Sequence, residues 1–444
     1  MKKLIIGIVC LGILNSCKNT KYPISQYSEK ATNVKLLLDS TDLGKNYNGT
    51  VLISDGNDIL FQSAYGFNQH DKETNKIETK YDIASMGKMF TAVSIIQLKE
   101  RGKLTLEQTI GEILPDYPNS EAKVITVQQL LSHTSGLGDY FSPEFDMRKD
   151  SINNLADFLP FFVNDPLEFK PGERMRYSNA GYIVLGLMIE KIVGKSYNEY
   201  LTENIFNPAN MTSTGPLSGS AGGGNSTVVD LQKFALAFQG HKLVNEESFK
   251  LMTTDHFNNG YGYGMSLRDL NGTKIYGHNG GAPGISGELD MVVGEPLIII
   301  TMSNRSPNDG WAQVRTNIRK EFFGSTPEIE KFLNTEQVIK TYQDKGFDEA
   351  SKKLTELGNN IIDRNAFEYA EKYAMQGQSN KAIDILKLLV QAYPDQWYPY
   401  SFLADFQLQA GQNEEAIKNF KKSLELNPEN EQAIEKLKIL ESQK

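Results

Sequence analysis

Hydrophobic and polar residues change rhythm several times along this chain, and each change marks an element. Residues 51–54 and 59–65 are apolar-rich runs around Asp55-Gly56-Asn57-Asp58, a tight-turn composition, and predict a pair of strands. Met89, Val93, Ile96 and Leu98 then recur at roughly helical spacing until Gly102, which predicts a helix over residues 85–101. Residues 102–255 read as mostly helical with loops. Stretches 126–132 and 180–193 carry helical apolar spacing, and Gly222-Gly223-Gly224 before Ser226-Thr227 predicts a tight loop and then a capped helix through Asp230-Leu231 to Phe238. Strand rhythm returns at 261–270 and 273–278, on either side of Asn271-Gly272, and again at 286–293 and 297–302, around Gly294-Glu295-Pro296. A helix over 311–323 closes this part, and residues 33–43 predict a short helix ahead of it all. Strands open the region, helices fill its middle and strands close it. The simplest packing is an α+β fold: an antiparallel sheet flanked by helices, with an all-helical subdomain inserted. The order of strands within the sheet does not follow from the pattern.

Beyond residue 325 the rhythm is helical throughout. Gly377, Ala382, Leu386 and Pro394 recur as Gly411, Ala416, Phe420 and Pro428, and Ala370 recurs as Ala404, every offset being 34 residues. That is the period of the tetratricopeptide repeat, whose helical hairpins stack because one unit cannot bury its apolar face alone. Residues 363–444 therefore predict a short all-α solenoid, with 425–444 as its capping helix. Tyr342 and Gly346 are spaced like Tyr373 and Gly377, so residues 326–362 read as a linker or an atypical repeat. Such an array either holds a protein partner in its groove or serves as a spacer or a packing element against the preceding domain.

The first residues have a different pattern. Lys2-Lys3 and an apolar run over 4–14 lead to Asn15-Ser16-Cys17, a run too short to span a bilayer and suited to a secretory signal. Leu14-Asn15-Ser16-Cys17 resembles a bacterial lipobox, although Asn15 is an unusual choice there. Residues 1–16 are expected to be removed, Cys17 to be acylated, and polar residues 17–33 to act as a tether. The product would be an exported lipoprotein of the cell envelope, on the membrane by its lipid anchor only; the alternative is an ordinary secreted protein. Cys10 and Cys17 are the only cysteines, so no internal disulfide and no cysteine-based metal site is expected in the mature chain.

Composition narrows the field modestly. Apolar residues make up 39% of the 444 and charged residues 23%, as in ordinary globular domains. A net charge of -9 without a long basic run argues against nucleic acid as a partner. None of the five histidines pairs with another at metal-ligand spacing, and no metal or cofactor is expected.

Three stretches can carry chemistry. Ser85-Met86-Gly87-Lys88 opens the predicted helix, and residues three apart share a helix face, so the Lys88 amine can reach the Ser85 hydroxyl. A helix start also offers free N–H groups to a developing negative charge. The pattern is short, however, and recurs at Ser120-Glu121-Ala122-Lys123 with no apolar helix behind it. Tyr177-Ser178-Asn179 precedes the 180–193 helix. Tyr177 can serve as a base or proton shuttle and Asn179 can hold Lys88 and a substrate amide, or the pair is simply a buried tyrosine beside a helix cap. Gly277-His278-Asn279-Gly280-Gly281 ends a predicted strand. There the Gly281 N–H can pair with that of Ser85 as an oxyanion site, and His278 can bond a substrate carboxylate or Tyr177; the plainer reading is a glycine-rich turn. Gly219-Ser220-Ala221-Gly222 does not fit the Gly-x-Ser-x-Gly elbow of strand–elbow–helix hydrolases, and that class is rejected.

The order of these stretches resembles the three-motif order of the serine β-lactamase and penicillin-binding-protein superfamily. The tyrosine in the second motif is similar to the class C branch, which includes D-alanyl-D-alanine carboxypeptidases, D-aminopeptidases and esterases. Leu130-Leu131-Ser132-His133-Thr134-Ser135-Gly136-Leu137, and Phe169-Lys170-Pro171-Gly172 leading into Tyr177-Ser178-Asn179-Ala180-Gly181-Tyr182, resemble further recurrent segments of that branch. The resemblance spans roughly residues 34–324, and the corresponding domain is placed at 34–325. It implies a β-lactamase/transpeptidase-like fold in which Ser85 forms an acyl-enzyme and Lys88 and Tyr177 share the proton transfers. Asn179, His278, Gly280 and Gly281 would form the substrate and oxyanion site, and His133 would pack beside it. Class C enzymes usually carry lysine and threonine where His278 and Asn279 stand, which removes a fixed positive charge and weakens the case for antibiotic hydrolysis. The expected substrate is a small peptide, cell-wall-derived in one version, or an ester. A non-catalytic scaffold that recruits partners through its repeats is the alternative. Loops 140–150 and 217–225 are expected to shape the pocket.

Overall fold

The computed structural model describes residues 25–68 and 72–442, so the leader and Cys17 lie outside the described residues. Helix α1 (Ser28–Ser40) comes first. It begins ahead of the expected tether boundary at residue 33. Its three buried side chains, Ala31, Val34 and Leu38, sit at helical spacing and pack against the sheet layer, which is why this polar-looking stretch is ordered. Strands β1 (Gly49–Asp55) and β2 (Asp58–Tyr65) follow, joined by a two-residue loop in which Gly56 takes a left-handed φ of +59°. A 3-10 turn, Ala84–Gly87, then leads into α2 (Lys88–Glu100), so the predicted helix starts as a tighter turn.

The middle of the chain is helical. Its main members are α3 (Asn179–Val193), capped by Ser178 through the Gly181 N–H at 3.1 Å, and α4 (Val228–Gln239), capped by Thr227 through the Asp230 N–H at 3.1 Å. The chain then returns to β3 (Ser266–Leu270), β4 (Thr273–Ala282), β5 (Ile285–Val292), β6 (Leu297–Ser303) and α5 (Ala312–Phe323). Two expectations shift here. The strand foreseen from residue 261 starts at Ser266, because residues 260–265 fold into a turn with Gly260 and Gly264 at positive φ. The strand foreseen to end at His278 runs on to Ala282, because β5 offers ladder partners as far as Ile285.

The six strands form one antiparallel sheet in the order β2-β1-β6-β5-β4-β3. Strand β1, from before the helical insertion, pairs with β6 from after it; the insertion leaves from the edge strand β2 and the chain returns at the opposite edge, in β3. Along β6, Ile298, Ile300 and Met302 face a core shared with α2 and α4, while Leu297 and Ile299 face one shared with α1 and α5. A strand covered on both sides has no polar face, which is why it reads as a continuous apolar run.

Seven helices follow: α6 (Pro327–Lys345), α7 (Phe347–Glu356), α8 (Asp363–Met375), α9 (Ser379–Ala392), α10 (Trp397–Gln409), α11 (Asn413–Leu426) and α12 (Glu431–Ser442). Helices α8 and α10 start 34 residues apart, as do α9 and α11. Each of these hairpins turns at a glycine with φ above +70°, Gly377 or Gly411, and the recurring Ala382 and Ala416 are fully buried. Residues 326–362, left between linker and atypical repeat by the sequence, hold the α6–α7 hairpin. Among the described residues no helix is long and apolar enough to cross a membrane.

Candidate active site

Ser85 sits on the 3-10 turn, half-buried, directly after Ala84, whose φ of +42° is unusual for a residue with a Cβ. The turn is clasped by close backbone contacts. The Gly223 N–H bonds the Ala84 carbonyl at 3.0 Å, a Cβ on Gly222 would lie 2.0 Å from that same oxygen, and a Cβ on Gly280 would lie 2.2 Å from the Ile83 oxygen. The glycines at 222 and 280 are thus demanded by the approach of two chains to the serine turn. Gly281 is different: a Cβ there meets nothing closer than 3.8 Å, and the residue lines the cavity beside Ser85.

Lys88 follows one turn later and is fully buried. Its Nζ donates to Asn179 Oδ1 and to the Ala221 carbonyl, both at 2.6 Å, and reaches Ser85 Oγ at 3.2 Å. Burial pushes its pKa down to about 7 against a partial counter-effect from the Asp139 carboxylate. Asp139 is the hidden orienting residue. It accepts from the Asn179 backbone N–H at 3.2 Å and from Asn179 Nδ2 at 2.8 Å, which turns the amide oxygen toward Lys88. A lone aspartate in a loop carries no sequence signal for that task.

Tyr177 brings its ring to 4.8 Å from Lys88 Nζ, and its own hydroxyl is buried without a hydrogen-bond partner among the described residues. Burial holds the phenol well above its ordinary pKa; the nearby Ser85 hydroxyl pulls the other way, and less strongly. The His133 ring lies tilted against Tyr177 with ring centroids 4.2 Å apart, and its Nδ1 accepts the Ser178 N–H at 3.1 Å. Burial keeps this imidazole neutral, and it packs behind the phenol.

His278 departs from its expected role. Its Nδ1 is 2.5 Å from the Asn279 carbonyl and its Nε2 is 2.8 Å from Tyr261 Oη. Both nitrogens are engaged within the protein, so neither is left for a substrate carboxylate. Burial first, then the Lys88 charge, push its pKa down to about 3. Toward Tyr177 it offers only a ring contact, at 6.2 Å between centroids. Tyr261, its partner, lies in the stretch expected to be strand and was not foreseen in the site.

Ser85, Tyr177, His278 and Gly281 line a cavity of about 1200 Å³. Neither of the expected loops, 140–150 and 217–225, lines it. Tyr140 is packed among Phe141, Phe145 and Phe158, and the second loop supports the site from behind through the Ala221 carbonyl. The far walls come from the turn at residues 306–309 and from α8. Among the described residues no group of histidine, cysteine, aspartate and glutamate side chains is placed to hold a metal ion.

A serine beside a buried, low-pKa lysine and a phenol, at the seam of an antiparallel sheet and a helical insertion, defines the β-lactamase/transpeptidase type of serine hydrolase. The family described as Beta-lactamase matches residues 44–321, and the chain belongs to that family. It is 29% identical over 338 residues to penicillin-binding protein 4* of Bacillus subtilis (strain 168), covering 64% of this chain and 74% of that protein. Among solved structures it resembles a penicillin-binding protein from Bacillus halodurans, at 31% identity and a TM-score of 0.57, over 64% of this chain and 99% of that one. A D-stereospecific amidohydrolase from Streptomyces sp. shares the fold at 23% identity and a TM-score of 0.56, over 67% of this chain and 99% of that one.

Proposed function

We propose that the protein is a serine acyl hydrolase that forms an acyl-enzyme on Ser85 and acts on D-amino-acid peptides, in the manner of a D-alanyl-D-alanine carboxypeptidase, or on esters. The observation that carries this reading is the Lys88 amine, 3.2 Å from Ser85 Oγ and with its pKa pushed down to about 7. At neutral pH a good share of Lys88 is unprotonated and can take the Ser85 proton as Oγ attacks the carbonyl carbon. The N–H groups of Ser85 and Gly281 stabilise the oxyanion. As the tetrahedral intermediate collapses, the bond to the leaving amine or alcohol breaks and that group takes a proton, passed through Tyr177. Water then attacks the ester carbonyl, gives up a proton to the same pair, and releases the acid and free Ser85. Tyr177, held above its ordinary pKa, fits a relay better than a resident base. The uncharged His278 leaves the site without a fixed cation on β4 for a β-lactam carboxylate, which supports weak or no β-lactamase activity.

The test is covalent labelling. A fluorophosphonate or a labelled penicillin is expected to attach to Ser85 in the full chain, read by mass on the Ser85 peptide, and not to the Ser85→Ala variant. No labelling by either probe, while a penicillin-binding relative labels in parallel, would leave only a non-catalytic scaffold. A kinetic screen on D-alanyl peptides, short-chain esters and cephalosporins then ranks substrates, with cephalosporins expected last.

A further inference from the structure

The site's cavity is closed on its far side by the helical extension. Helix α8 presents Arg364, Glu368, Glu371, Lys372 and Met375 to it. The helix is docked there: Lys372 Nζ meets Asp309 Oδ1 at 2.5 Å, Asn308 bonds Glu368, and Gln313 Nε2 bonds the buried Tyr369 hydroxyl at 3.1 Å. The wall is therefore part of the cleft.

The charges that line the cleft can be paired off. Lys372 is matched by Asp309, Arg364 by Glu368 at 2.9 Å, and Arg268 by Glu288 at 3.1 Å. His278 is neutral. Among the described residues, Glu371 is the one acidic or basic lining side chain with neither a hydrogen bond nor an ion pair, and it is half-buried. One helical turn further on, and so on the same face, Met375 exposes an apolar thioether that also lines the cleft. An unmatched carboxylate next to a flexible apolar side chain is complementary to a primary ammonium on an alkyl stem.

We propose that α8 is the distal wall of the substrate cleft, with Glu371 as a specificity residue that receives the side-chain ammonium of a diamino-acid residue in a peptide whose carbonyl reaches Ser85. This rests on the hydrolase reading above for the position of the carbonyl. The helical extension then selects substrates as well as packing against the sheet domain.

Binding to the full-length Ser85→Ala protein tests it without turnover. The probes are the tripeptide of lysine followed by two D-alanines, with its amino groups free, and the same tripeptide with both amines acetylated. The free-amine peptide is expected to bind at least tenfold more tightly by calorimetry. Glu371→Gln should remove most of that difference, and Glu371→Lys should reverse it, while the acetylated peptide binds all three proteins alike. Because Glu371 has no partner among the described residues, these variants should melt with the parent. Equal binding of the two peptides, no binding of the free-amine peptide, or a difference that survives Glu371→Lys would overturn the proposal. Fluorophosphonate labelling of Ser85 in the parent chain reads the hydrolase assignment separately, so a failure of one is not mistaken for a failure of the other.

Discussion

At the residue scale the site turns on one buried amine. In the proposed mechanism Lys88 must lose its proton to serve as base, so Ser85 acylation should rise with pH through about 7 and level off above it. Lys88→Arg keeps a charge at every accessible pH and should slow acylation by about 10²–10⁴-fold while flattening the profile. The rate of fluorophosphonate labelling against pH measures both; an unchanged profile in the variant would assign the base elsewhere. Ser85, Lys88, Tyr177 and Asn179 stand in short local patterns and could be picked out by spacing. Asp139 and Tyr261 could not, because each acts on a partner 40 or 17 residues away that only folding brings within 3 Å. For His278 the sequence offered a glycine-rich setting but not what occupies its ring, since the bond to Tyr261 is tertiary.

At the element scale, β5 and α5 are held together through buried charge. Arg319 donates to both oxygens of Asp290, at 2.8 and 2.9 Å, and pairs with Glu288 at 2.9 Å, while Arg268 and Arg315 close the group. Burial raises Glu288, but the three guanidiniums overcome this and hold the carboxyl well below its usual range. Arg319→Ala would take from Asp290 its two-pronged partner and leave only Arg268 and Arg315 to offset two buried carboxylates, and should cost about 3–5 kcal/mol in urea unfolding. A loss under about 1 kcal/mol would mean that water already reaches the group. Hairpin turns were plain from Asp-Gly and Asn-Gly chemistry, and α2, α3 and α4 from apolar spacing. The start of α1 and the true span of β4 were not, because a helix with three buried positions and a glycine-rich strand depend on the partners that cover them.

At the scale of the whole molecule, two cores flank the sheet, and the helical extension has its own. Phe332 of α6 belongs to the sheet domain's core, and α8 walls the cleft, so the near end of the extension is tied down. The far end is not: α11 and α12 rest on a small core of Ala416, Phe420, Ala433, Leu437 and a few neighbours, and terminal repeats have a neighbour on one side only. Amide exchange should therefore deuterate α11 and α12 well before α2, β1 and β6, with α8 in between. Equal protection of α8 and α12 by mass spectrometry would contradict that gradient.

By itself the sequence determined the kinds of element, the repeat period and the three motifs, because each is written in residues close together along the chain. Tertiary structure decided which strands meet, where Asp139 points, what occupies His278 and which segment faces Ser85 across the cleft. Those outcomes depend on distances between residues far apart in sequence, and such distances are set by the packing of layers that no local rhythm records.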